Sequence, residues 1–264
     1  MKSAVVCIAK NEDRYLDEWI KYHLKLGFSE IFVYQNNWRY PTGPYDDPRV
    51  HLLEMDGYKM MNPCYNGFIQ EYHDKFDFVM FIDVDEFLVV NTREPLDDVL
   101  KSYLDEDCVY VNWRIFGDNG RKDTSDGEYS CVKRFTRCDD RLHRLGKNIL
   151  NFRKNGNRYS FYNPHIVLLD GHLIPYSDSN RSVHAMKMWD AVPSSEQRLE
   201  LFHYKNKTLP ELMERKYGKD DALFGSYHPT YSHLDLTRKD FEELNLNKIE
   251  NTKALDFMYG GEDD

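Results

Sequence analysis

Phe78-Val79-Met80-Phe81-Ile82-Asp83-Val84-Asp85-Glu86-Phe87 sets five apolar residues directly before three acids in four positions. An unbroken apolar run of that length predicts a strand buried on both faces, the pattern of a parallel sheet covered by helices. Open α/β sheets bind their ligands just beyond the carboxyl ends of such strands. Three carboxylates crowded there repel one another unless positive charge lies between them. Hard divalent cations prefer oxygen ligands. The stretch therefore predicts a cation site and, with it, an enzyme that handles a phosphorylated ligand.

Working outward, residues 3–9 read as another buried strand. Residues 12–26 follow as an amphipathic helix, with Leu16, Trp19, Ile20, His23, Leu24 and Leu26 at helical spacing and Gly27 as its stop. Residues 31–34 are a second strand. Strand, helix, strand calls for a right-handed crossover and a parallel sheet. A Pro/Gly-rich loop spans 35–48, and residues 50–53 form a short strand. Helices are expected at 63–75, opened by Pro63, and at 95–104, opened by Pro95. Residues 109–113 are a further strand. From 114 to about 180 helical periodicity fades, so long loops and short antiparallel strands are expected over the catalytic face. Helices resume at 208–218 and 238–246, and the tail at 260–264 is expected to fray.

The 264 residues, 41% hydrophobic and 30% charged, suit one large α/β domain with a full core. A formal net charge of −10 disfavours nucleic-acid binding. The five cysteines are odd in number and form no C-x-x-C. Reduced thiols in a cytoplasmic protein are the better reading than a disulfide framework or a structural zinc. The amino-terminal apolar run is too short for a signal peptide, and no run reaches transmembrane length. A peripheral membrane contact is compatible with both facts.

Four constellations carry candidate chemistry. Asp83 and Asp85 alternate, and in an extended segment both carboxylates would point the same way and hold Mn²⁺ or Mg²⁺. The plain alternative is a solvated acidic turn. His203 and His165 could complete a metal shell from the far side of the pocket, although a hydrogen-bonded, partly buried histidine is commoner for either. Lys205 and Lys207 could meet phosphate charge, or be solvated. Asp118, in Phe116-Gly117-Asp118-Asn119-Gly120, could serve as a general base, or merely form a turn. Asn11-Glu12 and Gln35-Asn36-Asn37 follow the first two strands, where a base and ribose would rest. For Asn11-Glu12 the alternative is a helix start.

Together these segments resemble the GT-A glycosyltransferases, in particular a family-2-like and family-92-like group. Cys7 to Glu12 with Leu16 to His23 and Leu26-Gly27-Phe28 looks like the group's opening motif. Phe81 to Leu88 looks like its metal motif, and Trp113 to Gly120 like its acceptor-side segment. Lys147-Asn148-Ile149, Asn163-Pro164-His165 and His203 to Lys207 resemble its later motifs. Ordered motifs over residues 1–220 are more specific together than any one. The resemblance implies a GT-A (Rossmann-like) fold, with a mostly parallel central sheet flanked by helices and a loop-rich antiparallel acceptor side. In that scheme residues 1–113 are the nucleotide-sugar half, 114–220 the acceptor and metal-completing half, and 221–264 an extension of one domain.

It further implies an inverting hexosyl- or deoxyhexosyltransferase moving sugar from a nucleotide-sugar donor to a glycan, glycolipid or glycoprotein hydroxyl, as in surface-polysaccharide synthesis. Asp83, Asp85 and His203 would hold Mn²⁺ or Mg²⁺, with His165 in reserve and Asp118 as base. Ala9, Asn11, Glu12, Gln35, Asn36, Asp83, Val84, Lys147, Lys205 and Lys207 would face the donor. One departure stands out: the group often has an acid where this chain has Gln35. Two rivals compete with this reading. A nucleotidyltransferase or sugar-nucleotide pyrophosphorylase wants a glycine-rich basic loop after strand one, and Lys10-Asn11-Glu12-Asp13-Arg14 has no glycine. A non-catalytic sugar-binding protein of the same fold should have lost Asp83 or Asp85.

Overall fold

The computed structural model describes residues 1–10, 12–36, 45–123, 128–174, 176–178, 183–184, 197–218, 238–239 and 241–260, with backbone only at 176–178, 183–184 and 215–218. The first half alternates strand and helix as the periodicity requires. It comprises β1 (Ser3–Ala9), α1 (Asp13–Leu26), β2 (Glu30–Gln35), β3 (Val50–Glu54), α2 (Met61–Tyr72), β4 (Phe78–Phe81), β5 (Glu86–Val90), α3 (Leu96–Lys101) and β6 (Cys108–Ile115). After β6 come α4 (Cys131–Arg134), β7 (Arg137–Cys138), β8 (Gly146–Asn151), α5 (Phe152–Asn155), β9 (Tyr159–Asn163), β10 (Ile166–Leu169) and β11 (His172–Leu173). The remainder is β12 (Tyr176–Asp178), β13 (Val183–His184), β14 (Leu199–His203), α6 (Leu209–Gly218), β15 (Ile249–Glu250) and α7 (Lys253–Tyr259).

Ten strands form one sheet, in the order β13-β12-β6-β8-β4-β1-β2-β3, with β14 joining β6 to β5 off that path. β4, β1, β2 and β3 run parallel. Their apolar runs are continuous because each face packs against a different layer. In β1, Val5, Cys7 and Ala9 enter the core shared with α1, β5 and β14. Ala4, Val6 and Ile8 enter the core shared with α2 and β9. β4 divides likewise, with Met80 on the first side and Val79 and Phe81 on the second. This period-two split is what a strand buried on both faces must show.

α1 ends where expected. Gly27 takes φ 113°, and its N–H caps the helix on the carbonyls of His23 and Leu24. The buried face of α1 does more than fill space. Trp19 Nε1 donates to Glu86 O at 2.9 Å, Tyr22 OH donates to Leu88 O at 3.0 Å, and Leu88 N donates to His23 Nε2 at 3.4 Å. Side chains of the helix thus satisfy the β5 edge that β14 does not cover. Burial pushes His23 down to about 3, so it serves there as a neutral imidazole.

Several expectations need correction. α2 starts at Met61, two residues before Pro63, and α3 is only Leu96–Lys101, with Pro95 at its N-cap. The long stretch after β6 was expected to be loops and short antiparallel strands over the catalytic face. It does hold the small sheet β9-β10-β11, but β8 is a fully buried strand wedged antiparallel between β4 and β6 in the main sheet. Gly146 allows that approach, since a Cβ there would lie 1.9 Å from Val111 O. β5 and β14, read only as motif residues, are core strands paired antiparallel with each other. The helix expected at 238–246 lies partly outside the described residues, as does the tail at 261–264.

Candidate active site

At the carboxyl end of β4 the ladder runs one residue further, Ile82 N donating to Val6 O at 3.1 Å. The chain then reverses. Glu86 N donates to Asp83 O at 3.0 Å, and Asp83 N donates to Glu86 Oε2 at 2.8 Å. The Asp83-Val84-Asp85 segment is therefore a tight turn and not the extended segment expected. The physical reason is Glu86. Its side chain is fully buried and accepts from Trp113 Nε1 at 2.7 Å, which pulls the chain inward to begin β5. Burial drives the Glu86 carboxyl well above its usual range, with Lys147 opposing.

The turn aims the two aspartates at different cations. Asp83, half-exposed, accepts from Lys147 Nζ at 2.8 Å, and that ammonium lies 3.7 Å from Glu86 Oε2. Asp85 is buried. Its Oδ1 lies 3.6 Å from His203 Nε2, and its Oδ2 lies 3.9 Å from Lys207 Nζ. Lys207 is itself buried, at a φ of 49°, with its ammonium 4.4 Å above the Tyr15 ring. Burial works against the Lys147 ammonium, but Asp83 and Glu86 outweigh it and hold its pKa raised.

The two histidines flank Trp113. The indole centroid lies 4.3 Å from His203 and 5.0 Å from His165. β14 brings His203 opposite Glu86 of β5 and Ile115 of β6, so the strand pairing sets its place. Burial lowers the His203 pKa, with Asp85 opposing, and the ring is neutral near pH 7. Burial likewise takes His165 down to about 4. Its Nδ1 lies 2.8 Å from Gly146 O, and a carbonyl can only accept, so the proton sits on Nδ1.

The remaining candidates divide. Ala9 and Gln35 are buried register partners at the ends of β1 and β2. Asn36 donates from Nδ2 to Met55 O at 2.7 Å and Gly57 O at 3.1 Å, so both donors of its amide hold the loop after β3. Glu12 caps α1 with its carbonyl, which accepts from Tyr15 and Leu16 N–H, the helix-start alternative. Asn11 lies outside the described residues. Val84 is buried in the turn. Lys205 is close enough to lower His203 and His143 by its charge. Asp118 stands three residues past β6. Its Oδ1 accepts from Gly120 N at 2.8 Å and Asn247 Nδ2 at 3.0 Å, which is turn work. Two residues before it, Phe116 N donates to His203 O at 3.1 Å, which ties this turn to the histidine. Gly117 packs under the Asn247 amide, where a Cβ would lie 2.4 Å from Oδ1 and push that side chain aside.

Sequence reasoning passed over Glu86 and Trp113 as site residues. A charged residue opening an otherwise apolar run, Glu86-Phe87-Leu88-Val89-Val90, was the available signal: such a residue is buried only with partners. Among the described residues, no three His, Cys, Asp or Glu side chains form a ready-made metal cage. The donors nonetheless suit a divalent ion. A carboxylate oxygen and a neutral imidazole nitrogen lie 3.6 Å apart, a gap that one ion can bridge. His203 Nδ1 is buried without a hydrogen-bond partner, and Nε2 is the ring nitrogen that faces Asp85. Asp83, the natural third donor, is drawn to Lys147.

Comparison with known proteins agrees with the motifs. Over 112 residues, 38% of its length, the chain is 32% identical to a glycosyltransferase family 92 protein of rice, Oryza sativa subsp. japonica. The chain resembles the family-92 glycosyltransferases. It spans 18% of that relative's length. No family model matches the chain. Among solved structures, S. aureus TarS aligns over 92% of this chain and 43% of its own, with 13% identity and a TM-score of 0.38. HddC from Yersinia pseudotuberculosis aligns over 57% and 74% respectively, with 12% identity and a TM-score of 0.30. The mostly parallel sheet at the site, flanked by helices and joined by small antiparallel sheets, is consistent with the GT-A fold. Among the described residues no helix is long and apolar enough to cross a membrane.

Proposed function

We propose that the chain transfers a sugar, with inversion, from a nucleotide-sugar donor to a hydroxyl of a glycan, glycolipid or glycoprotein. The observation that carries this reading is the acid turn after β4, where Asp83, Asp85, His203, Lys147 and Lys207 converge. Asp83, Asp85 and His203 would hold a divalent ion, Mn²⁺ or Mg²⁺. Bound there, the ion supplies Lewis-acid neutralisation of the diphosphate's developing charge. Lys147 and Lys207 face the same charge from opposite sides of the turn.

In the transfer, the acceptor oxygen forms a bond to the anomeric carbon as the bond from that carbon to the diphosphate oxygen breaks. The bonding electrons leave with the nucleoside diphosphate. Asp118 takes the proton of the attacking hydroxyl. A single in-line displacement needs no protein nucleophile. Trp113 lies between His165 and His203, with ring centroids 5.0 and 4.3 Å away.

Calorimetric titration with a panel of nucleotide sugars, with and without Mn²⁺, tests the proposal. One donor should bind in a metal-dependent way and slowly release nucleoside diphosphate. Absence of binding across the panel would overturn it. The variant Asp118→Asn should lower transfer by about 100- to 10,000-fold, the usual contribution of a general base, while donor affinity stays within about twofold. A loss confined to donor affinity would place Asp118 in the donor site instead.

A further inference from the structure

The pairing of Lys147 goes beyond a generic phosphate contact. Its side chain is 2% exposed and is carried by a strand locked between β4 and β6, and its ammonium sits between Asp83 and Glu86 at 2.8 and 3.7 Å. Asp83 is thereby withheld from the Asp85 and His203 pair, and no complete three-donor cage exists among the described residues. A lysine in that position does electrostatically what a bound cation would do. It neutralises the turn, and its charge opposes the approach of a second cation to Asp83.

We infer that Lys147 is a resident counter-ion of the acid turn, and that it couples the binding of divalent ion and diphosphate. The inference rests on the metal-dependent reading given above. In the free chain Lys147 occupies Asp83, so the ion alone binds weakly. When the ion takes Asp83, two positive charges share the turn and the buried ammonium keeps only Glu86, at 3.7 Å. A diphosphate oxygen supplies the replacement anion. Each ligand therefore strengthens the other, beyond what direct ion–phosphate contact provides. A pocket so built binds free divalent ions weakly and fills when the donor arrives.

The signature is a variant that binds one ligand better. Lys147→Met removes the competing cation and should bind Mn²⁺ alone about 5- to 20-fold more tightly than the wild type, while binding nucleoside diphosphates alone more weakly. The factor by which each ligand strengthens the other, typically about 5- to 150-fold in coupled sites, should shrink at least about fivefold. UDP, GDP, ADP, CDP and TDP serve as probes, followed by calorimetry. Lys147→Gln, which keeps a hydrogen-bond donor for Asp83, should behave the same way and covers the case in which the methionine variant does not fold. In the wild type, amine labelling read by mass spectrometry needs no variant. Lys147 should be protected in the free chain, labelled faster with Mn²⁺ alone, and protected again when a binding nucleoside diphosphate is added.

Mn²⁺ affinity equal to or weaker than wild type in a folded neutral variant would overturn the inference and leave the function intact. So would Lys147 labelling that ignores Mn²⁺. Absence of Mn²⁺ binding in every protein, with or without each nucleoside diphosphate, would remove the metal-dependent reading and this inference with it.

Discussion

Asp85→Asn is expected to lower sugar transfer by at least about 100-fold, the upper end of what losing an outer partner of a metal ligand costs. The substitution keeps the volume of the side chain and deletes its charge. His203 Nε2 then loses the carboxylate 3.6 Å away with which it would share the ion, and Asp83 is left as the other carboxylate donor. The fold should survive, because Asp85 O still accepts from Tyr204 N at 2.9 Å through the backbone. Lys207 loses an anion at 3.9 Å but keeps the Tyr15 ring beneath its ammonium. A melting temperature within a few degrees of wild type corresponds to about 1 kcal/mol. The measurement is initial rate against Mn²⁺ concentration, alongside thermal unfolding. Activity within tenfold of wild type at saturating Mn²⁺ would remove Asp85 from the metal site.

The largest stability effect is expected from Glu200→Ala. Arg114 and Glu200 form a buried bidentate pair, Nε to Oε2 at 3.0 Å and Nη2 to Oε1 at 2.9 Å. Truncating the glutamate leaves a buried guanidinium that donates to Asp139 O at 3.2 Å. Breaking such a pair from one side costs roughly 3–5 kcal/mol, a large share of the ~5–15 kcal/mol that holds a typical domain together. The pair links β6 to β14, the strand that delivers His203. Destabilisation should therefore appear with a higher Mn²⁺ requirement. Urea unfolding measures the first and a metal titration the second. Replacing both partners, Arg114→Met with Glu200→Leu, should recover most of the lost stability. A loss below about 1 kcal/mol in Glu200→Ala would show the pair to be energetically idle.

The parallel half of the sheet was legible because its signal is local. β1, β2 and β4 are short apolar runs, and α1 has an apolar stripe ended by a glycine. β8 escaped notice for the opposite reason. Gly146-Lys147-Asn148-Ile149-Leu150-Asn151 reads as half polar, yet every residue in it is buried. Its polar groups find partners far along the chain. Asn148 Nδ2 donates to His165 O at 3.0 Å, and Asn151 Nδ2 donates to Leu104 O and Glu106 O, both at 2.9 Å. Hydrophobic periodicity cannot anticipate burial that hydrogen bonding across some 20 to 50 residues makes affordable. Asn36 shows the reverse case. It lies where a donor would rest, but its amide is taken up by two loop carbonyls.

By itself the sequence determined that an acidic cluster follows a two-face buried strand in an α/β sheet, because strand burial and crossover handedness follow from short-range patterns. It also supplied the ordered motifs by which the chain resembles the family-92 glycosyltransferases. Tertiary structure alone decided how the acids are used. The buried Glu86 carboxylate, captured by Trp113, folds Asp83-Val84-Asp85 into a turn. The turn hands Asp83 to Lys147 from β8 and Asp85 to His203 from β14. Those partners lie 64 and 118 residues along the chain from their aspartates. Only the pairing of distant strands, driven by core burial and backbone hydrogen bonding, brings such charges within 4 Å of one another.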